Sequence, residues 1–543
     1  MKNIKITALS FLLLGGTVMS CKDQLDIQNP NQPTPATASS EAGIVALAQG
    51  SVYKNGFTSA GNKYYDGVVG AFYNGVVGIH ELMGDIVTAE AANTYMNNLS
   101  APDMVILDNG AQVPNPNNPA QQKVLLRSVN SNAQQGQNPG FHEWAMMYQL
   151  NNACNTILEA VDKTTFTGDA AAKKNAIKAW AYFWKGIAYS RIGSLYYAGL
   201  IVNTASVTNN TYVSKEKIID EANANFDKAA AAATASGSNA DFQAVLTSLI
   251  PDFFQNDLGA VPSGAQWVKN INTLKARNIL VNTPTATMTA AQWGQILSLA
   301  NAGVGASDPV FAGTTNANGD IFSPSNYNVA ARAVGSNASG NTYKISERLI
   351  QDFNAGDQRL ANNFKQYPIW IGNADRGNAF NTRWAIVDKG AGLAGVMVYS
   401  NRTAGAGVLY LAGSYEENEL MKAEAKLWTG DVAGAAASIN AVRAYQGAGI
   451  AAITSTDAAT VKEELRKERR VALAFRGLSF YDARRWGVLE NGRTGAVVIS
   501  KDGSSISKNA TIKYSYLDYW DVPDNELANN PAGAGSAPLK NPK

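Results

Sequence analysis

Charged residues and metal-binding residue types are scarce in this chain. Only 16% of its 543 residues are charged, against about 25% in an average soluble protein, and 45 Lys and Arg nearly cancel 43 Asp and Glu. Low charge combined with 45% hydrophobic residues excludes intrinsic disorder, which needs the opposite composition. The lack of a basic excess argues against nucleic acid as a partner, because phosphates favour basic surfaces. Two histidines and two cysteines nearly exclude a multi-ligand zinc site and a disulfide framework.

Aromatic residues, by contrast, are plentiful. The chain has 10 Trp, 22 Tyr and 17 Phe. Its length is enough for about two to four domains or for one large domain with a substantial core. This composition indicates a neutral, aromatic-rich globular protein.

The first twenty residues have the pattern of a secretory signal peptide. Lys2 and Lys5 precede an apolar run at Ile6–Gly16, and small residues then lead to Cys21. The run is too short to span a bilayer, which takes about 20 apolar residues. The cysteine after Val-Met-Ser resembles a bacterial lipobox, and this implies that Cys21 carries the lipid at the start of the mature chain. Several acyl chains, such as palmitate, are then expected, because one chain alone holds a protein only marginally at a membrane.

These features predict three segments. Residues 1–20 are the lipoprotein signal peptide, residues 21–40 are the lipidated cysteine and a Pro-containing tether, and residues 41–543 are a single domain. No later stretch is long and apolar enough to span a membrane. Cys154 is then the only remaining thiol, and we interpret it as a small buried residue.

Apolar residues recur at helical spacing through most of the domain, which predicts a mainly α fold. In one helix Trp180 and Trp184 belong to an apolar stripe with small alanines between the large residues. Large residues that meet small ones allow paired helices to pack closely, as in tetratricopeptide arrays. No strict repeat is present, so we expect degenerate tetratricopeptide-like helix pairs with long loop-rich insertions. The predicted helices are Gly43–Lys54, Glu143–Val161, Ala170–Tyr197, Ser214–Ala233, Val268–Val281, Ala290–Ala302, Glu416–Thr429 and one from Gly430-Asp431 to Tyr445.

Three intervals break the helical pattern. Asn109–Asn138 is rich in Asn, Gln and Pro and is predicted to be a long surface loop. Asp308–Asn341 and Gly372–Gly407 are rich in Gly, Asn, Ser and Thr and contain several aromatic residues. Loops this long in a compact protein are usually functional, so residues 308–341 and 372–407 are predicted to be variable ligand-binding insertions.

A dense cluster of arginines lies near the C-terminus, within Lys462–Gly487. The pattern predicts a helix that presents Leu465 and Phe475 to the core, then Gly477 and a second helical turn with Trp486. We expect most of these arginines to form structural ion pairs with nearby carboxylates rather than a basic functional patch. The expected partners are Glu463, Glu464, Glu468 and Asp482.

This stretch resembles the C-terminal signature of the SusD/RagB family, nutrient-binding lipoproteins of the Bacteroidetes outer membrane. Residues 420–443 resemble the last tetratricopeptide pair of that family, and residues 345–360 resemble the segment before its variable loops. The ending, from Trp520 to Pro542, looks like the family's Pro- and Asn-rich tail. The chain departs from the family pattern at a few positions, which suggests a divergent branch. Family members usually carry Glu at the positions of Ala472 and Arg476, and Arg at the positions of Ser479 and Lys185.

The resemblance implies a non-catalytic protein on the outer cell surface. Such a protein binds a nutrient, most often a glycan, and delivers it to a SusC-like TonB-dependent outer-membrane transporter. It is held at the outer membrane by the lipid on Cys21 and faces the extracellular side. A peptide is the alternative ligand, because aromatic loops suit either class.

Candidate ligand-binding residues are aromatic and amide side chains in the early aromatic region and in the insertions. Sugars offer apolar CH faces and many hydroxyls, so flat rings beside hydrogen-bonding groups are suitable. We expect the alanine variants of Tyr327 and Trp384 to bind the ligand at least about tenfold more weakly. The candidates are Tyr73, Asn74, Tyr95, Tyr327, Trp370, Phe380, Arg383 and Trp384.

Other functions have less support in the sequence. A surface glycoside hydrolase would need two carboxylates across a cleft, and Glu416, Glu417, Glu419 and Glu424 qualify by residue type only. Their spacing predicts a solvated helix face and packing positions. The motif at His80 has a glycine where a zinc protease has its second histidine, so no metal or other cofactor is expected. Bound calcium is conceivable from the oxygen-rich loops, but no ligand set has recognisable spacing. A protein–protein scaffold is a further alternative, since tetratricopeptide helices commonly serve that role.

Overall fold

The computed structural model describes residues 39–50, 52, 72–90, 94–252, 255, 257–314, 327–335, 343–367 and 380–543. Helices dominate these residues, as the sequence predicts. In chain order they are α1 (Glu41–Gln49), α2 (Val77–Met83), α3 (Thr94–Ser100), α4 (Gln122–Val129), α5 (Pro139–Val161), α6 (Ala170–Leu195), α7 (Lys215–Ser236), α8 (Ala240–Leu249), α9 (Gly264–Asn282), α10 (Ala290–Asn301), α11 (Glu347–Gln351), α12 (Gln358–Asn363), α13 (Tyr415–Trp428), α14 (Val432–Tyr445), α15 (Ala458–Ala472), α16 (Ser479–Arg485), α17 (Val488–Asn491) and α18 (Asp524–Asn529). A π-helical turn at Phe72–Val76 leads into α2, and short 3₁₀ segments lie at Asn132–Gln137, Asp257–Gly259 and Ala331–Ala333.

Short strands accompany the helices. They are β1 (Val87–Glu90), β2 (Met104–Ile106), β3 (Gln112–Pro114), β4 (Ala198–Gly199), β5 (Val213–Ser214), β6 (Ala312–Thr314), β7 (Tyr343–Ile345), β8 (Phe364–Gln366), β9 (Phe380–Asn381), β10 (Trp384–Ile386), β11 (Val408–Tyr410), β12 (Arg493–Ser500) and β13 (Ile506–Lys513). Five of them form one antiparallel sheet in the order β3-β2-β13-β12-β9. The remaining strands pair two by two: β1 with β7, β10 with β8, β11 with β6 and β4 with β5.

Side-chain caps fix the starts of α5 and α6: α6 begins after Asp169, as the sequence predicts, whereas α5 begins at Pro139, before the predicted start at Glu143. Asn138 precedes α5 and accepts a hydrogen bond from the Gly140 N–H at 2.9 Å, while Pro139 occupies the first helical position. Asp169 caps α6 by accepting from the Ala172 N–H at 3.0 Å. Because these caps satisfy N–H groups that the helix leaves unpaired, the loop between the two helices is short and the helices pack side by side.

The helices pack as consecutive neighbours. α6 packs against α5 and α7, α9 packs against α7 and α10, and α13 packs against α10, α14 and α15. Their shared core holds a cluster of aromatic rings around Trp180, which is fully buried. Its ring centroid lies 5.5 Å from that of Trp184, 6.3 Å from Trp267 and 6.2 Å from Phe311, all in edge-to-face geometry. Such ring pairs each add about 0.5–1.5 kcal/mol beyond their buried area, so this cluster stabilises the helix pairs.

Two sequence predictions about loops need correction. The segment Asn109–Asn138, predicted to be a surface loop, contains β3, α4 and the 3₁₀ segment, and Leu125 and Leu126 of α4 are buried. Within the insertion at residues 372–407, the described part includes β9 and β10. The β12–β13 hairpin, the longest strand pair of the described residues, was not predicted.

The arginine-rich C-terminal motif forms α15, a tight turn and α16. Arg469 Nε lies 2.9 Å from Asp482 Oδ2, and Arg485 Nε lies 2.8 Å from Asp482 Oδ1. Arg485 also makes a two-point ion pair with Glu424, at 2.6 and 2.7 Å. These contacts confirm structural ion pairing, and Glu424, which is only 2% exposed, occupies a packing position of α13.

The turn between α15 and α16 is anchored to α2. Gly477 has φ +73°, a region that favours glycine, and its N–H donates to Glu81 Oε1 at 2.6 Å. Glu81 is fully buried, and this burial raises its carboxyl pKa to about 7 although the Gly477 and Phe475 N–H groups act to lower it.

The C-terminal segment ties back to the first helix pair. The Trp520 N–H donates to the Leu195 carbonyl at 2.8 Å, and the Tyr197 N–H donates to the Trp520 carbonyl at 2.8 Å. Arg127 Nε lies 3.0 Å from Asp521 Oδ2. The C-terminal segment therefore binds the end of α6 and also α4.

None of the helices in the described ranges has the length and apolar character needed to cross a membrane. Cys154 is fully buried in α5, as predicted, and burial raises the pKa of its thiol to about 12.

Candidate functional site

A cavity of about 450 Å³ lies where the π-helical turn, α6, α9, β11 and the start of α13 meet. We call it the tyrosine cavity, after Tyr73, Tyr327, Tyr399, Tyr410 and Tyr445 in its lining. Its volume is in the range of small-molecule sites, about 300–1,000 Å³. Val398, Val408 and Tyr445 of its lining are exposed, so the cavity opens to solvent on their side.

The inner end of the tyrosine cavity is formed by the π-helical turn and α6. The guanidinium carbon of Arg191 lies 4.6 Å from the centroid of the Phe72 ring. Arg191 Nε also donates to Glu143 Oε1 at 2.5 Å, and Glu143 Oε2 lies 2.7 Å from His80 Nε2. Burial lowers the pKa of His80, although Glu143 acts to raise it. Arg191 is therefore held against the cavity wall by a buried ion pair.

Arg476 and Tyr410 form a stacked pair on another wall. The guanidinium carbon of Arg476 lies 4.2 Å from the Tyr410 ring centroid. Its Nη2 donates to Glu416 Oε1 at 2.8 Å and its Nη1 donates to Ser414 Oγ at 2.8 Å. Burial by itself raises the pKa of Glu416, but the Arg476 charge and hydrogen bond outweigh it and lower this pKa to about 2. Glu416 is therefore an anion at neutral pH.

A second ion pair lies beside the first. Arg277 of α9 binds Glu417 of α13 at two points, with Nε and Nη2 each 2.5 Å from a carboxylate oxygen. Both glutamates are only 3% exposed, so of the two predicted settings, a solvated helix face and packing positions, they occupy the second. Two-point pairs fix the orientation of a guanidinium. The wall of the cavity is thus rigid and carries charged groups that are already paired.

Tyr327 and Asn401 bring the two insertions together at the cavity. Tyr327 Oη accepts a hydrogen bond from the Asn401 N–H at 3.0 Å, and the Tyr327 side chain is buried. Because Tyr327 comes from the first insertion and Asn401 from the second, this bond joins segments that the sequence predicts to be functional. Burial raises the pKa of the Tyr327 hydroxyl, so it stays protonated at neutral pH.

Among the predicted ligand-binding residues whose side chains the structure describes, two lie at this site. Tyr73 and Tyr327 line the tyrosine cavity. Tyr95 lies on α3, half-buried against the core. Arg383 and Trp384 lie at β10 and are not among the residues that line the cavity.

The environment of β10 explains the position of these two residues. Arg383 Nη2 lies 3.1 Å from Glu347 Oε2, and Trp384 is half-buried opposite Gln366 of β8. The structure describes the other predicted residues only in part. Asn74 belongs to the π-helical turn and Phe380 begins β9, but their side chains, together with Trp370 and Cys21, lie outside what the structure describes.

Sequence reasoning missed the residues that pair across distant segments. Arg277 and Glu417 are 140 positions apart, and Arg476 and Glu416 are 60 apart. The one available signal was Arg476, which stands where the resembling family carries Glu. The structure shows that this arginine pairs with Glu416 and lines the cavity.

No group of three or more His, Cys, Asp or Glu side chains within the described ranges is arranged to hold a metal ion. His80, which begins the zinc-protease-like motif, is instead within hydrogen-bond distance of Glu143.

Comparison with known proteins agrees with this fold. Residues 417–532 match the family model of the SusD family. A SusD-like carbohydrate binding protein from Bacteroides fragilis is 16% identical, with a TM-score of 0.56 and coverage of 92% of this chain and 99% of that chain. A SusD-like protein from the same species is 14% identical (TM-score 0.54; 93% and 98% covered), and a SusD-like carbohydrate binding protein from Bacteroides vulgatus is 15% identical (TM-score 0.52; 92% and 98% covered). No curated protein matches the chain.

At these identities the structural matches establish the fold alone, and this fold extends over nearly the whole chain. The family match covers α13 to α18 and includes the arginine-rich motif with its ion pairs. Residues 417–532 of this chain therefore match the SusD family, and nearly the whole chain has the fold of SusD-like proteins.

Proposed function

We propose that this protein binds a glycan in the tyrosine cavity, on the outer cell surface, and passes it unaltered to a SusC-like TonB-dependent transporter. The match to the SusD family supports a surface nutrient-binding role. The observation that carries the proposal is the lining of the cavity, in which Tyr73, Tyr327 and Tyr410 lie beside two arginines held by ion pairs.

A saccharide suits this lining for physical reasons. The CH face of a sugar ring is apolar and packs on a tyrosine ring, while its hydroxyls need donors and acceptors at fixed positions. Tyr410 is fixed by Arg476, which in turn is fixed by Glu416. A preorganised wall lowers the entropic cost of binding, because few side chains must be ordered by the ligand.

The ion pairs also favour binding without catalysis. A glycoside hydrolase needs a carboxylic acid that can give a proton to the leaving group, and such an acid has a raised pKa. Arg476 instead holds the pKa of Glu416 at about 2, and Arg277 occupies both oxygens of Glu417. We expect no turnover when the purified protein is incubated with labelled glycans and peptides. Release of shorter products would instead favour the hydrolase alternative.

The inner end of the cavity favours a peptide as the second candidate ligand. Ile187, Phe226 and Leu274 contribute an apolar surface there. An apolar amino-acid side chain would gain more from this surface than a sugar hydroxyl would. The peptide alternative therefore predicts binding that requires a large apolar residue.

The ligand test is an array of glycans and peptides probed with a form that begins after Cys21. The best ligand is then titrated into the Tyr410→Ala and Trp384→Ala variants. We expect the first variant to lose about tenfold or more in affinity, because it removes a ring from the cavity wall, and the second to bind as the parent does. Loss of affinity in Trp384→Ala alone would show that the ligand binds at β10 instead of in the tyrosine cavity. Unchanged affinity in both variants would show that the ligand binds at neither place.

The anchor and the transporter need separate tests. Cys21 is proposed to carry the lipid that holds the protein at the outer membrane, facing outward. We expect Cys21→Ala to release the protein from the membrane fraction and to abolish labelling with a fatty-acid analogue. Co-purification in detergent should recover a TonB-dependent transporter, whereas recovery of an unrelated partner instead would favour the scaffold alternative.

A further inference from the structure

A second cavity, of about 480 Å³, lies beside α15, α16 and the start of β12. We call it the arginine cavity, after Arg466, Arg470 and Arg493 in its lining. It shares no lining residue with the tyrosine cavity. The glycan binding proposed for the tyrosine cavity therefore does not explain the arginine cavity.

Three guanidiniums converge on one carboxylate in the arginine cavity. Asp352 Oδ1 lies 2.7 Å from Arg466 Nη2 and 3.1 Å from Arg493 Nη2, and Asp352 Oδ2 lies 2.6 Å from Arg470 Nε. The Asp352 side chain is only 1% exposed. Burial acts to raise the pKa of Asp352, but these three cations outweigh it and hold this pKa well below its usual value. One carboxylate offsets only one of the three positive charges.

Two further carboxylates of the lining form ion pairs with arginines that do not line the cavity. Asp85 makes a two-point pair with Arg348, at 2.7 and 2.9 Å, and Arg348 does not line the cavity. Asp482 accepts from Arg469 at 2.9 Å and from Arg485 at 2.8 Å. Among the described residues, neither carboxylate forms a direct ion pair with the arginines around Asp352.

The last acidic residue of the lining is Glu463, at the solvent side. It is bound at two points by Arg466, at 2.8 and 2.7 Å. The remaining lysine of the lining, Lys467, lies 3.6 Å from Glu464, which is outside the lining. Asp352 and Glu463 thus face three guanidiniums, which leaves one positive charge in excess.

The excess charge belongs to Arg493. Among the described residues its hydrogen bonds all come from Nη2, to Asp352 and to the Arg348 carbonyl, so its Nε and Nη1 donate to no protein atom. Its side chain is 15% exposed. Burial lowers the pKa of Arg493, and Arg470 lowers it further, although Asp352 acts in the opposite direction. A buried cation without full compensation is costly unless an anion joins it.

We propose that the arginine cavity binds a small oxyanion, through Nε and Nη1 of Arg493 and through Nη1 of Arg466, which also lines the cavity. A guanidinium presents parallel N–H donors that match two oxygens of a phosphate or carboxylate group. Gln351 and Thr494 of the lining are exposed, so a ligand can enter from solvent. The oxyanion is either a free ion such as phosphate or the carboxylate of an acidic sugar.

The test is calorimetric titration of the form that begins after Cys21 with sodium phosphate, sodium glucuronate and glucose, at constant ionic strength. We expect saturable binding of phosphate, of glucuronate or of both, and none of glucose. Binding of phosphate alone identifies a free oxyanion, and binding of glucuronate identifies an acidic sugar as a source. Failure of both anions to bind, or an equal response to glucose, would overturn the proposal.

Variants assign the binding to this cavity. We expect Arg493→Gln to weaken binding about tenfold or more, because it removes a charged donor pair. We expect Glu463→Gln to strengthen binding at least about threefold, because it removes a negative charge at the entrance. The matched control is Arg402→Gln, which removes an arginine paired with Asp388 away from this cavity and should change nothing.

These variants keep the proposal falsifiable even if one of them unfolds. Binding that is unchanged in a folded Arg493→Gln protein would refute the site. If that variant does not fold, the Glu463→Gln variant decides, and weaker or equal binding there would refute the site. Because the arginine cavity is separate from the tyrosine cavity, Tyr410→Ala should leave anion binding intact, so the two proposals fail independently.

Discussion

Replacing Arg476 with methionine should expose the energetic role of the ion pair with Glu416. Glu416 is 3% exposed, and Arg476 Nη2 lies 2.8 Å from its carboxylate. In the variant the carboxylate keeps a hydrogen bond from Gln446 Nε2, at 3.1 Å, but loses its cation. Removing one partner of a buried pair costs about 3–5 kcal/mol. We therefore expect the free energy of unfolding at neutral pH to fall by about 3 kcal/mol or more.

The pKa of Glu416 gives the same magnitude by an independent route. It falls from 4.5 to about 2 in the folded protein. At about 1.4 kcal/mol per unit, this shift corresponds to about 3 kcal/mol. Because the folded pKa is depressed, the stabilisation is present above pH 4.5 and is lost as the pH falls through about 2. In the variant burial acts with far less opposition, so the pKa of Glu416 should rise and the variant should become less stable as the pH increases.

Urea unfolding between about pH 3 and about pH 8 measures both effects. The difference between parent and Arg476→Met should be largest at neutral pH and should shrink in acid. The double variant Glu416→Gln/Arg476→Met should recover part of the loss, because it removes the uncompensated charge. A difference below about 1 kcal/mol at neutral pH, or one that does not change with pH, would refute the role assigned to this pair.

Three further predictions concern the core and the turn after α15. The raised pKa of Glu81 in the folded protein stabilises it below pH 4.5, and this contribution is lost as the pH rises through about 7. In the Glu81→Gln variant this loss of stability between pH 4.5 and about 7 should therefore disappear. Parallel pH profiles of the parent and the variant would contradict this prediction. Gly477→Ala should cost about 1–3 kcal/mol, since the residue has φ +73° and the added Cβ would lie 3.2 Å from Val77 Cγ1, and a neutral effect in denaturant unfolding would contradict it. Trp180→Ala should cost about 3–5 kcal/mol, measured in the same way, because a fully buried ring is removed from the aromatic cluster; a loss below about 1 kcal/mol would show that the core closes over the gap.

The helix pairs could be predicted because their signals are local. The cap at Asp169, the spacing of Trp180 and Trp184 and the stop at Gly430 all lie within or next to the helix they define. α4 was missed because a short amphipathic segment is surrounded by Asn, Gln and Pro, whose loop preference dominated the window. The strand β12 was missed because it contains Gly495, with φ +66°, and because Val498 and Ile499 are both buried, which breaks the alternation of buried and exposed residues.

The candidate site was predictable only in part. Tyr73 and Tyr327 could be proposed because an aromatic residue in a Gly- or Asn-rich segment is a local signal. Glu417 and Arg277 could not, because a charged residue on an amphipathic helix looks solvated until its partner from another helix is known. Burial of such a residue depends on tertiary contacts that no local pattern contains.

The return of the C-terminal segment to the first helix pair has a consequence for biosynthesis. Trp520 is bonded to Leu195 and Tyr197, more than 300 positions earlier. During synthesis and export the end of α6 must wait for nearly the entire polypeptide before its last backbone partners arrive. A nascent or prematurely terminated chain would keep that edge open to chaperones and proteases, so a stop codon shortly before Trp520 should lower the cellular level of the protein more than its small loss of mass suggests.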